Sequence, residues 1–307
     1  MKKRGKLNRE FAIFALILIA LLFVVSGQTS CPGQGTTDAS KTGLDFSLNT
    51  NPNFLYGGKT LEQGENFRIG IIIENYDQTP RQGKICVLDD VSDNFLGISS
   101  NGDGQCASFN VRAAEISEQK SQALIGGGTS KKIIPGTVEI YFPENNWYKY
   151  QGLPKMGIYN GRMIVSAFYV ETSRATATLN VPSTQQPITT QEPSPIGVSL
   201  SQSSYRVAEG YQTDLTISLI KKFEHKIYSS DFTKENNIYF NAEVPPQQLI
   251  CAKKNGEAIN QYFELGNENI IKCSFLSYSE NIQGYPFVST LNYGVKISKG
   301  FTYQIKT

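Results

Sequence analysis

Residues 65–75 read ENFRIGIIIEN. Phe67, Ile69, Ile71 and Ile73 recur at every second position, with Arg68, Gly70, Ile72 and Glu74 between them. A period of two puts the first set on one face of a β-strand and aims that face at a core. The turn-forming stretch NYDQTPRQG follows at 75–83, and KICVLD at 84–89 reads as the next strand.

The same grammar extends in both directions. QCASFNV, TVEIYF, RMIVSAFYV and ATATLNV read as further strands, the last with Ala175, Ala177, Leu179 and Val181 alternating with threonine and Asn180. This gives about seven strands and one helix near 112–124 for residues 44–182. Residues 196–307 repeat the plan: GVSLS mirrors GLDFSLN, and EGYQTDLTISL mirrors EQGENFRIGIII, with Leu215, Ile217 and Leu219 as its core set. QLICAK again places a cysteine inside a strand, and STLNYGVKI and FTYQIK close the chain. Short strands at this spacing, rich in Ile, Val and Tyr, predict an all-β chain with two immunoglobulin-like β-sandwich domains, 44–182 and 196–307. Between them STQQPITTQEPSP, 183–195, reads as an extended, semi-rigid linker with three prolines.

EQGENFRIGIIIENYDQTPRQGKICVLD, 62–89, resembles the opening of CARDB-like and related immunoglobulin-like modules of archaeal and bacterial surface proteins. It shares their order of glycine turn, alternating strand, asparagine, polar loop and second strand. TLNYGVKISKGFTYQI, 290–305, resembles the closing hairpin of modules in archaeal envelope proteins. The resemblance implies adhesion, spacing or assembly at a cell surface, and it carries over no catalytic residues.

The head of the chain sets the expected location. Lys2, Lys3, Arg4, Lys6 and Arg9 precede fifteen apolar residues, Phe11–Val25. A basic cluster followed by an apolar run is an export signal, and its length lies between a cleaved leader and a spanning helix. Residues 1–30 are therefore expected to be a signal or membrane-anchor helix, with the positive cluster cytoplasmic and the bulk of the chain extracytoplasmic. Residues 31–43 read as a flexible Gly/Thr/Ser stalk. Cys31 stands at its start, a candidate for lipidation or for a bridge to a second copy. The other four cysteines fall into local pairs, 20 and 22 residues apart, so disulfides Cys86–Cys106 and Cys251–Cys273 are expected. With no CxxC and a single histidine, the chain offers little to a zinc site.

Chemistry is sparse. His225 is the only histidine, and neither a triad nor an HExxH motif can be built around it. LIGGGTSKK, 124–132, has phosphate-loop residues in the wrong order and reads as a hairpin loop. Asp89, Asp90 and Asp103, with Asp93 and Asn101, offer hard oxygens as a calcium alternative to plain polar turns. Glu139 and Glu144 are the carboxylates a glycan-acting enzyme would use. PENNWYKYQGLPKMGIYNG, 143–161, is the candidate binding loop: Trp147, Tyr148, Tyr150 and Tyr159 are interface-type and sugar-stacking side chains, and Trp147 alternatively plugs the end of a sandwich. A net charge of +2, much of it in the leader, gives no basic face for nucleic acid.

These features lead to an expected non-enzymatic surface protein of the cell membrane, needing no cofactor. Its membrane contact is the N-terminal segment, and its partner an envelope protein or a glycan. The alternatives are a lipoprotein that binds a solute or partner, and a glycan-acting extracytoplasmic enzyme.

Overall fold

The structure, a computed structural model, describes residues 43–90, 105–120, 129–153, 157–183, 185–259, 261–279 and 281–307. The leader, nearly all of the stalk, Cys31, Asp93, Asn101 and Asp103 lie outside these residues. Among the described residues no helix is long and apolar enough to cross a membrane.

The strands run in chain order as β1 (Leu44–Leu48), β2 (Thr60–Glu62), β3 (Ile69–Asn75), β4 (Arg81–Asp89), β5 (Gln105–Val111), β6 (Glu115–Lys120), β7 (Thr129–Ile134), β8 (Gly136–Phe142) and β9 (Ile158–Val181). They continue as β10 (Thr190–Gln191), β11 (Ile196–Val207), β12 (Gly210–Lys221), β13 (Lys226–Tyr228), β14 (Asn237–Glu243), β15 (Ile250–Lys253), β16 (Tyr262–Glu264), β17 (Ile270–Ser277) and β18 (Gln283–Lys306). The described part is therefore all-β. The helix expected near 112–124 is not formed where it is described: Glu115–Lys120 is a strand paired with Thr129–Ile134. AAEISEQK has helical propensity, but pairing with β7 overrides it.

The alternation of residues 67–73 decides the layering as expected. Phe67, Ile69, Ile71 and Ile73 are fully buried. β3 lies between β1 and β8 in a three-stranded sheet. The large sheet carries the order β16-β14-β18-β9-β4-β5, with β10, β13 and β2 attached at its margins. A four-stranded sheet, β11-β12-β17-β15, buries Leu215, Ile217 and Leu219.

β9 and β18 pair antiparallel over all 24 residues of each, from Ile158 opposite Lys306 to Val181 opposite Gln283. At ordinary strand rise this ribbon runs roughly 80 Å along its path. Its two halves face different sheets. Tyr303, near the end of β18, stacks on Tyr150, which stacks on Phe67 beside β3. Tyr285, near the start of β18, packs edge-on against Phe275 of β17 and shares a 2.7 Å hydrogen bond with Ser277. The boundary read at 183–195 thus divides the sequence but not the sheets, since the last strand runs back alongside the first segment. Residues 39–307 form one compact unit.

The segment read as a linker is docked. β10 pairs with Ala175 and Thr176 of β9. Gln186 accepts from the Gln202 backbone NH through Oε1 and donates to the Gln202 carbonyl through Nε2, standing in for a strand partner. Gln191 accepts from Val198 NH and donates to the Ile196 carbonyl in the same way. Both expected disulfides are formed. Each joins residues directly opposed across neighbouring strands, Cys86 with Cys106 and Cys251 with Cys273.

Candidate functional site

The aromatic loop is sorted by strand alternation. Phe67 and Tyr148 exchange backbone hydrogen bonds of 3.0 and 2.9 Å, and Gly64 NH reaches the Tyr150 carbonyl. The loop is thereby held as an added strand beside the entry to β3, and neighbouring side chains point to opposite faces. Tyr148 and Tyr150 turn inward and are buried, while Trp147 is 52% exposed. Burial raises Tyr148 far above the usual phenol range.

Tyr150 is part of the core's polar anchor. Its hydroxyl donates to Asp89 Oδ2, Tyr303 donates to Asp89 Oδ1 at 2.7 Å, and the two hydroxyls are 2.6 Å apart. Desolvation, with the Asp89 charge beside them, raises both phenols and holds them neutral. Three sequence readings are corrected here. Tyr148 and Tyr150 do not belong to a binding surface, because the added strand turns them into the core. Tyr159 is also packed against the core, as a β9 residue opposite Ile305. Asp89 is fully buried with its oxygens occupied by tyrosines, and Asp90 Oδ1 accepts from Arg162 NH. Asp89 and Asp90 are thus committed to protein partners, Asp103 lies outside the described residues, and among the described residues no group of three His, Cys, Asp or Glu is placed to hold a metal ion.

Trp147 instead joins an outward platform. The Arg68 guanidinium lies 5.6 Å from the Trp147 ring centre and 5.3 Å from that of Tyr141. Tyr141 stacks on Phe54 at 5.5 Å. Arg68 is fixed by donation to the Pro143 carbonyl at 3.0 Å and to the Glu144 carbonyl. Its charge is spread over two ring faces, the arrangement of a cation–π clamp. The polar border is Glu139, which accepts from Asn49 Nδ2 and from the Tyr141 hydroxyl, an interaction that raises the Tyr141 phenol. Glu139 is thus committed to the rim of the platform. Phe54, Arg68 and Tyr141 were not read as site residues in the sequence. The signal was their outward phase: Arg68 alternates with the buried isoleucines, and Tyr141 is an outward residue of β8.

A second surface feature lies on the outer face of the large sheet. A groove of about 350 Å³ is lined by Leu88, Arg162, Ser166, Phe168, Lys226 and Lys296, among others. Beside it lies a second hollow, with Phe223, His225 and Lys299 in its wall. His225 stacks on Phe223 at 5.5 Å, and burial lowers its pKa below the ordinary value.

No family model matches the chain, and no curated protein matches it. Among solved structures it is similar to a DUF4466 family protein from Parabacteroides merdae, at 7% identity over 81% of this chain and 98% of that one, with a TM-score of 0.19. It is also similar to the C-terminal domain of the Streptococcus pyogenes antigen I/II-family protein AspA, at 8% identity over 87% of this chain and 99% of that one, with a TM-score of 0.14. Likenesses at these scores carry no argument about function.

Proposed function

We propose that this chain is a non-catalytic, membrane-tethered extracytoplasmic surface protein that presents the Trp147 platform to an envelope protein or a glycan. In this reading two immunoglobulin-like sandwiches share the β9–β18 ribbon, and the leader and stalk hold them away from the membrane. The observation that carries it is a rigid, exposed Trp147–Arg68–Tyr141 stack on an outer sheet face. A tryptophan that is half exposed yet fixed by a guanidinium loses little further freedom on binding, and such side chains dominate binding energy at interfaces. The two disulfides fit an oxidising compartment. The tether rests on Phe11–Val25 and on Cys31, and mass analysis of the mature N-terminus tests which of them holds the chain.

The function is tested by affinity capture with the full chain from its native envelope, in parallel with Trp147→Ala. One stoichiometric protein or glycan is expected with the parent chain and is expected to be lost with the variant. Because Trp147 is half exposed, its removal is expected to cost on the order of 1–2 kcal/mol of packing and cation–π contact, and an unfolding midpoint well above the capture temperature in the variant shows that lost capture reports binding rather than unfolding. Identical capture by both chains would refute the platform.

A further inference from the structure

The outer face of the large sheet carries three cations in one row, two of them directly opposed. In register, Lys226 of β13 stands opposite Lys296 of β18, Lys296 opposite Phe168 of β9, and Phe168 opposite Lys84 of β4. The ammonium groups of Lys84 and Lys296 each lie 4.8 Å from the Phe168 ring centre. Like charges directly opposed across a sheet destabilise it. Lys226 has an exposed partner in Glu235 at 3.4 Å, and such a pair offsets little. Lys296 has no carboxylate partner among the described residues.

The next row along the strands is Cys86, Ser166 and Ser298, with the two serine hydroxyls 2.9 Å apart. The row after that is Leu88, Ile164 and Gly300, and Arg162 lies beyond it. Rows on one face are about 7 Å apart, and the Arg162 guanidinium folds back over Gly300, so the charges at the two ends of the groove, Lys296 and Arg162, stand roughly 13 Å apart along the sheet. Between them the floor alternates hydroxyl and apolar groups.

We infer that this groove binds an extended anionic polysaccharide, with the Lys226–Lys296–Lys84 row and Arg162 taking charged groups roughly two to three sugars apart. The spacing exceeds what a single phosphate or a small acid spans. The serine pair and the Leu88–Ile164 floor suit the hydroxyl edges and apolar faces of sugar rings better than a uniformly charged surface would. The same cations accept carboxylates or phosphodiesters, so uronate and phosphate polymers share this chemistry. The site is separate from Trp147, which lies on the outer face of the three-stranded sheet.

The test titrates the full chain with an oligogalacturonate of about ten units and, separately, with a glycerol-phosphate oligomer of equal charge. Neutral oligogalactan and duplex DNA serve as comparisons. Binding of one or both anionic oligomers is expected, weakening as salt rises. Which of the two binds tighter identifies the source of the charge. The double variant Lys296→Gln, Arg162→Gln is expected to lose at least about tenfold in affinity, whereas Lys254→Gln, elsewhere on the surface, changes nothing. The double variant is expected to stay folded, with a thermal midpoint within a few degrees of the parent's, since the Lys226–Lys296 repulsion it removes offsets the Lys296–Phe168 cation–π contact it loses, and this separates lost binding from misfolding. No binding of either oligomer at low salt, unchanged binding in the double variant, or equal affinity for neutral galactan or for DNA would each overturn the inference.

Discussion

Glu171 brings two carboxylate oxygens to the middle of the β9–β18 ribbon, and one of them has no partner. Oε1 accepts from Arg81 at 2.8 Å, while Oε2 is buried and unpaired. Arg81 is shared, since it also donates to Asp77 at 2.7 Å. Desolvation therefore outweighs the attraction of Arg81, with the charges of Asp77 and Glu192 adding to it, and the Glu171 carboxyl rises from its ordinary 4.5 to about 7. Tyr169 and Tyr293 close the remaining sides, both raised by burial and neutral in this range. The sign follows from proton binding. Between pH 4.5 and 7 the folded chain holds a proton at Glu171 that the unfolded chain has released, so this group's contribution to stability falls as pH rises through that window. Its size is on the order of 2–3 kcal/mol. Glu171→Gln keeps the shape and removes the titration. Urea unfolding at pH 5 and pH 7.5 is expected to show a smaller difference for the variant than for the parent, with the variant the more stable of the two at pH 7.5. An unchanged pH slope would mean that Glu171 is ionised throughout.

Individual strands place their residues by alternation, and close approach punishes any break in it. Gly83 sits in β4 opposite Tyr169, where an added Cβ would lie 2.1 Å from the Phe168 carbonyl oxygen and 2.8 Å from the Phe109 ring. Gly83→Ala must push β4 off β9 or move a packed ring, and it is expected to destabilise by about 1–3 kcal/mol in denaturant titration. The sequence shows a glycine there but not what it touches, because the Phe168 carbonyl comes from 85 residues away and the Phe109 ring from the next strand. Much else at this scale was legible. The isoleucines of β3, the Leu215–Leu219 set and both cysteine pairs were readable because side-chain direction in a strand depends only on parity. The same rule applied to Trp147-Tyr148-Lys149-Tyr150 would have sent the two tyrosines inward. The pairing that makes the rule apply is not legible locally, because the partner, Phe67, lies about eighty residues earlier in the chain. The failure at 112–124 has the opposite cause: local propensity favoured a helix, and a partner strand decided otherwise. The groove cations were hidden for a third reason. Lys84, Lys226 and Lys296 come from three strands far apart in the chain, and only the register puts them in one row.

The whole molecule departs most from its sequence reading, because the two matching segments each look self-contained. In the fold neither completes its sheets alone. The C-terminal half of β18 supplies a partner for the first half of β9 and for β2, and the second half of β9 supplies a partner for the start of β18. A chain ending at residue 182 would lose Leu291, Tyr293, Val295, Tyr303 and Ile305 from the core and expose the β9 edge along its whole length. Residues 196–307 alone would leave the matching edge of β18 bare. Exposed strands of this length pair with other copies. Both fragments are therefore expected to aggregate or remain unfolded, whereas the full chain is expected to unfold in a single calorimetric transition. The linker gives a second readout. With Gln186 and Gln191 bonded into strand positions, a broad-specificity protease should not cut first between 183 and 195, as it would between two beads on a flexible tether. A folded, monomeric 1–182 fragment, or two separate transitions in the full chain, would show that the ribbon joins two independent domains rather than making one cooperative body.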